Sequence, residues 1–240
     1  MLGKQNNNWV FKYAPQTISD CIYPDDVKAY FEGSIEDQEL NHTILYGSAG
    51  TGKTSMARVL AKDLDYDLLE KNAPFEGTFE DLAQIEQYAS SVSMFGGGKI
   101  VLLDEADGLP PKSMDTFKAM LEKFDGHCSF ILTTNKIKKI PEPIRSRCVV
   151  LEIGGVGNQK VDQELKEAVS QRILTICERE ELDKPDPDLV RDIIELAFPD
   201  IRSSIKIAYQ VLKRKLPFKV AAASLNLTDP SIPLRGRRAA

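Results

Sequence analysis

The segment GSAGTGKT at 47–54 fits the pattern G-x-x-x-x-G-K-[ST]. Glycines at Gly47, Gly50 and Gly52 let a backbone curl until successive N–H groups face one phosphate. Lys53 would set a point charge against the β- and γ-phosphates, and Thr54 would offer a hydroxyl to Mg²⁺. A helix beginning here would add the positive end of its dipole. In isolation, a glycine-rich turn without a ligand reads the same way, so the flanks decide. TILY at 43–46 reads as a strand and SMARVLAKDL at 55–64 as a helix.

A second chemical signal is IVLLDEAD at 100–107, an apolar strand ending in carboxylates. Such a strand delivers Asp104 to the C-terminal edge of an open α/β sheet, beside the phosphate loop. There Asp104 would hold Mg²⁺ through water. Glu105 would orient and deprotonate an attacking water, which favours ATP hydrolysis over phosphoryl transfer to a small molecule. SFILTTN at 129–135 is another strand with a polar end. Asn135 could reach the γ-phosphate or the attacking water, although an isolated Asn reads equally as a turn residue. SRC at 146–148 sets Arg147 just before a last strand, and FPDIR at 198–202 sets Arg202 at a helix start. Taken singly, each arginine reads as a surface residue.

These groups need a scaffold that brings them to one edge. Strand-like runs fall at 43–46, 66–69, 100–103, 129–133 and 148–153, with helical segments at 53–63, 78–92, 112–124 and 140–146 between them. Alternation of this kind predicts an α/β fold with a parallel sheet. GGVGNQK at 154–160 reads as a linker, and the pattern then turns all-helical, with 161–181, 185–198 and 201–215 periodic. The expected organisation is an α/β nucleotide domain over 1–153, a small helical lid over 154–215, and a basic tail over 216–240. That tail has three prolines and no convincing period, so partial order is expected.

Composition fits a soluble globular chain of 240 residues, 42% apolar and 28% charged. No stretch approaches the ~20 apolar residues of a membrane span. MLGKQNNNWVF at the start has no apolar signal core, and the four cysteines show no CxxC pairing, so a reducing cytoplasm with free thiols is expected. The net charge of −5 is unevenly spread: residues 202–240 hold nine Lys/Arg and one acid, Asp229. The acidic remainder excludes a protein that coats DNA by charge alone.

The order of these motifs resembles that of the AAA+ ATPases, and within them the clamp-loader branch, which includes replication factor C small subunits and the large subunits of tailed-phage clamp loaders. The residues that carry the resemblance are WVFKYAPQTISDCI at 9–22, GSAGTGKT, LLDEAD, TTN, SRC and FPDIR, over about 9–210. The run from Asn135 to Cys148, ending in SRC, is rather specific to clamp loaders. The resemblance implies a P-loop AAA+ domain with a helical lid, using ATP and Mg²⁺. Val10, Phe11, Lys12 and Tyr13, with Ile22, would line the adenine pocket. Ala49, Gly50, Thr51, Gly52, Lys53 and Thr54 would hold the phosphates, with Thr54 and Asp104 on the metal. Asp104 and Glu105 would be the Walker B pair and Asn135 sensor 1. Arg147 would be an arginine finger reaching a neighbour's ATP, and Arg202 sensor 2, acting in cis. Implied partners are other clamp-loader subunits, a sliding clamp and primer–template DNA, in the cytoplasm and without a membrane.

The sequence departs from the family in three places. KYAP puts Ala14 where the family usually has Arg. PFEGTFEDLAQ at 74–84 carries Glu76, Glu80 and Asp81 where relatives start a DNA-tracking helix with basic residues. Relatives also have a helical collar domain, and this sequence is expected to stop about where that collar would begin. Competing readings are a nucleotide-binding assembly subunit deficient in hydrolysis, another AAA+ remodelling ATPase, and an unrelated P-loop kinase; the kinase leaves SRC and FPDIR unexplained.

Overall fold

The computed structural model describes residues 8–93, 97–154 and 157–227. In chain order its elements are α1 (Trp9–Lys12), α2 (Asp25–Glu36), β1 (Thr43–Tyr46), α3 (Lys53–Asp63), β2 (Asp67–Asn72), α4 (Phe79–Ser90), β3 (Lys99–Asp104), α5 (Pro111–Lys123), β4 (Ser129–Thr134), α6 (Glu142–Arg145), β5 (Val149–Glu152), α7 (Gln159–Arg179), α8 (Pro187–Ala197), α9 (Ile201–Ala208) and α10 (Phe218–Ala223). They divide into two units: Pro15–Gly155, and Val156–Ala240 together with Met1–Ala14.

In the first unit the strands form one sheet in the order β2-β3-β4-β1-β5, with every pairing parallel. Side chains alternate between its two faces. Ile44, Val101, Leu103, Phe130 and Leu132 meet Phe117 and Leu121 of α5 and Leu82 and Ile85 of α4. Leu45, Ile100, Leu102 and Ile131 meet Met56 and Leu60 of α3 and Val27 and Phe31 of α2. A sheet covered on both faces explains why its central strands read as continuous apolar runs. All the strands point one way, so the loops after β1, β3 and β4 share one edge, and the residues preceding β5 lie at the opposite edge.

The second unit consists of α7 to α10 together with α1. The sequence placed residues 9–12 with the sheet; in the structure Trp9 is buried and its ring packs edge-on to Tyr209, 5.5 Å between centroids. Burying that indole ties the N-terminal segment to the C-terminal helices. The helix expected over 201–215 stays α-helical only to Ala208 and continues as a π-helical turn over Tyr209–Lys213. Residues 216–227 supply the ordered part of a tail expected to be partly ordered. α10 forms there behind the Pro217 N-cap and buries Ala221 and Ala222. The rest of that tail, 228–240, lies outside the described residues. No helix among the described residues is long and apolar enough to cross a membrane.

One carboxylate secures α1. Glu180, 9% exposed, accepts from Lys12 Nζ at 2.5 Å, Tyr13 Oη at 2.7 Å and Lys213 Nζ at 3.0 Å. The Lys12 hydrogen bond, with help from Tyr13 and Lys213, outweighs burial and holds the Glu180 carboxyl at about 2, against an ordinary 4.5. A depressed folded-state pKa adds stability that is complete above about pH 4.5 and is lost as pH falls towards 2. Between pH 6 and 3 the wild-type melting temperature should therefore fall more steeply than that of Glu180→Gln. Parallel profiles by circular dichroism would remove this role.

Candidate nucleotide site

β1 ends at Tyr46, and the chain enters a loop whose backbone leaves little choice of residue. Gly47 has φ +148°, and a Cβ there would collide with the Ile153 carbonyl. Its N–H donates to the Thr134 carbonyl at 3.2 Å, which ties the start of the loop to the end of β4. Gly52 has φ +96° and is the N-cap of α3, so it has no side chain with which to cap the helix. Its carbonyl accepts from Met56 N–H at 3.0 Å and from Tyr23 Oη at 2.5 Å. Within the loop, Lys53 Nζ donates to the carbonyls of Gly47 at 2.9 Å and Ser48 at 2.7 Å. Thr51 is buried and donates its hydroxyl to Ser48 O at 3.0 Å. The first N–H groups of α3 have no intrahelical acceptor, and the positive end of the helix lies at this loop.

Asp104 ends β3 two strands away from β1, and β4 between them supplies the link. Thr54 Oγ1 donates to Asp104 Oδ1 at 2.9 Å, and Thr133 Oγ1 on β4 donates to the same oxygen. Thr133 Oγ1 in turn accepts the Glu105 N–H at 3.0 Å. Glu105 is exposed and left-handed, with φ +54°. A non-glycine residue in that conformation costs on the order of 1 kcal/mol, and here it ends the strand in a turn closed by Gly108 N–H on the Glu105 carbonyl at 2.8 Å. A hydroxyl and a carboxylate oxygen 2.9 Å apart form a hard-oxygen donor set that fits Mg²⁺.

Asn135 follows directly on Thr134, whose carbonyl receives Gly47 N–H, so it stands exposed at the same edge. Arg147 lies elsewhere. It precedes β5 by two residues, and β5 begins opposite Thr43, the first residue of β1. It is thus a strand length, about 13 Å, from the loop in its own chain. Its Nε donates to Glu122 at 2.8 Å, its Nη2 pairs with the same carboxylate, and its Nη1 donates to Pro143 O at 2.6 Å.

Residues 43–154 match the family model described as "ATPase family associated with various cellular activities (AAA)". The sheet-bearing unit is an AAA domain. The chain is 33% identical over 197 residues to the sliding-clamp-loader large subunit of Escherichia phage RB69, covering 81% of this chain and 61% of the relative. It is also 33% identical over 204 residues to a replication factor C small subunit of Archaeoglobus fulgidus, covering 82% and 61% respectively. The chain therefore spans 61% of the length of these curated relatives. A Thermotoga maritima RuvB structure superposes with TM-score 0.69 at 15% identity, over 90% of this chain and 74% of that one. At that identity the likeness concerns the fold alone.

The AAA domain thus brings together Ala49, Gly50, Thr51, Gly52, Lys53, Thr54, Asp104, Glu105 and Asn135 at one sheet edge. Ile22 belongs to the same unit, whereas Val10, Phe11, Lys12, Tyr13 and Arg202 belong to the helical unit. Phe11 is exposed, Lys12 and Tyr13 are engaged by Glu180, and Arg202 is exposed in the first turn of α9. The acidic stretch at the start of α4 has its own use. Thr78 and Asp81 cap one another and the helix end, and Glu76 accepts from Asn72 N–H and Lys71. The helix N-terminus is therefore satisfied by side chains of its own segment.

Sequence reasoning missed Thr133, Tyr23 and Glu122. Thr133 had a signal, since a hydroxyl one residue from the end of a buried strand needs a polar partner at the edge. Tyr23 and Glu122 act through contacts distant in sequence, 29 and 25 residues away, and no local pattern marks them.

Proposed function

We propose that this chain is an ATP-dependent clamp-loader subunit that binds and hydrolyses ATP at interfaces between neighbouring subunits. The observation that carries the reading is the convergence of Thr54 and Thr133 on Asp104 beside the Gly47–Thr54 loop, with Arg147 at the far edge of the same sheet. Loop N–H groups and Lys53 would hold the β- and γ-phosphates. When bound through Thr54 and Asp104, Mg²⁺ would draw charge from the phosphate oxygens. Glu105 would take a proton from the water that attacks the γ-phosphate, with Asn135 orienting that water. A neighbour's Arg147 would meet the charge that spreads over the transferring phosphoryl group. Val10, Phe11, Lys12, Tyr13 and Ile22 would recognise adenine, and Arg202 would contact the γ-phosphate of its own chain.

The names of the relatives support the rest of the reading. ATP would draw subunits into a spiral that grips an open sliding clamp and primer–template DNA, and hydrolysis would release the clamp. The test combines two measurements. Calorimetry should give MgATP binding for the wild type and none for Lys53→Ala, with both proteins folded by circular dichroism, because the Lys53 ammonium lies in the loop itself, donating to the Gly47 and Ser48 carbonyls. Phosphate release by the assembled complex should rise when the clamp from the same source and primer–template DNA are added together. Equal ATP affinity of the two proteins would overturn the site, and turnover indifferent to clamp and DNA would overturn the clamp-loading role.

A further inference from the structure

We infer that Tyr23 is a positioning residue for the phosphate loop, and that it sets the direction in which the Lys53 amide N–H faces. The inference rests on the reading of Gly47–Thr54 as a triphosphate cradle.

The argument starts from the peptide between Gly52 and Lys53. It is trans, as is every peptide bond among the described residues except Phe198–Pro199. In a planar trans peptide the C=O and the following N–H point in opposite directions. Whatever fixes the Gly52 carbonyl therefore fixes the Lys53 N–H. The carbonyl is held by Met56 N–H at 3.0 Å along the helix and by Tyr23 Oη at 2.5 Å from the side. The helical bond alone leaves the first peptide of α3 able to tilt, because its N-cap is a glycine without a capping side chain. Tyr23 supplies the second restraint, and the Lys53 N–H is directed away from it.

Tyr23 is built to stay in place. It is 4% exposed and shares an apolar cluster with Val27, Phe31, Met56 and Leu60. Burial pushes its phenol well above the ordinary tyrosine range, so the hydroxyl keeps its proton and remains a donor. Its fit to Gly52 is reciprocal. A Cβ on residue 52 would lie 2.8 Å from Tyr23 Oη, at a φ of +96° that already disfavours any side chain. Glycine at 52 thus admits both the left-handed turn and the close approach of the phenol.

Tyr23→Phe is the direct test, because it keeps the ring in the cluster and leaves the Gly52 carbonyl bonded to Met56. Two ligands are titrated, MgATP and magnesium tripolyphosphate, which has no base or sugar. Both affinities should fall by about tenfold and by similar factors, the scale of one well-placed hydrogen bond. The ligand-free melting temperature should move by only about 2–4 °C. On adding tripolyphosphate, the ¹⁵N–¹H resonance of Lys53 should shift strongly in the wild type and weakly in the variant. A merely structural tyrosine would lower the melting temperature and leave both affinities and the Lys53 shift unchanged, overturning the inference. Loss of MgATP affinity alone would also overturn it, because Tyr23 would then act on the nucleoside. Lys53→Ala separates the two levels. If it abolishes binding while Tyr23→Phe binds like wild type, the inference fails and the cradle stands. If Lys53→Ala binds both ligands normally, the cradle and the inference fall together.

Discussion

Glu105→Gln is expected to bind MgATP as tightly as the wild type and to hydrolyse it at least ~100-fold more slowly, the scale of losing a general base. Two features of the site make the separation clean. The backbone of Glu105 is held by its own N–H on Thr133 and by the left-handed turn, and neither involves the carboxylate. The side chain is exposed, so glutamine can replace it without repacking. Its neighbour should behave differently. Asp104 accepts from both Thr54 and Thr133 on one oxygen, so Asp104→Asn keeps an acceptor for the two hydroxyls but removes the negative charge of the metal set. That variant should lose the Mg²⁺ dependence of ATP affinity along with turnover. Single-turnover phosphate release in the assembled complex reads the difference. Unchanged turnover of Glu105→Gln would exclude it as the base.

How much of this was legible in the sequence follows from the range of the interactions involved. The five strands fall within a few residues of the apolar runs, and the central β1, β3 and β4 were the plainest, because strands covered on both faces need continuous apolar segments. The loop and the acidic strand end were equally legible, since backbone sterics at Gly47 and Gly52 and the turn at Glu105 are local demands. α2 was missed. Its apolar face has only Val27 and Phe31 fully buried, and Gly33 and Ser34 weaken the helical pattern. The association of α1 with the C-terminal helices was also out of reach, because it depends on Trp9 meeting Tyr209, 200 residues later. α10 was masked by its composition, since FKVAAA between Pro217 and a polar stretch is too short to show a period. At the site, residues that would touch ligand announced themselves by type and spacing. Those that hold them, Thr133, Tyr23 and Glu122, did not, because a supporting contact needs only one atom in the right place from anywhere in the chain.

Arg147→Ala is expected to leave the ATP affinity of its own chain nearly intact while turnover of the assembled complex falls by about 10³-fold or more, as for loss of an arginine finger. The geometry gives the reason for the first half. Arg147 stands before β5, at the edge of the sheet opposite the Gly47–Thr54 loop, and it is held there by Glu122 and Pro143. A side chain a strand length from its own loop cannot serve that loop, but an exposed edge can face a neighbour. The Glu122 pair is half open to solvent, so exchanging it for a phosphate costs little. Glu122→Gln should accordingly preserve turnover, whereas a requirement for Glu122 would mean that the arginine works through that pair. Mixing decides the matter. Arg147→Ala subunits offer intact loops without the arginine, and Lys53→Ala subunits offer the arginine without a working loop. Each alone should be inactive, and together they should regain phosphate release at the interfaces where an intact loop meets an intact arginine. An enzyme with all its catalytic groups in one chain gives no recovery, and a surface arginine gives no loss to recover. If both variants assemble, as judged by light scattering, and the mixture stays inactive, Arg147 does not act across the interface.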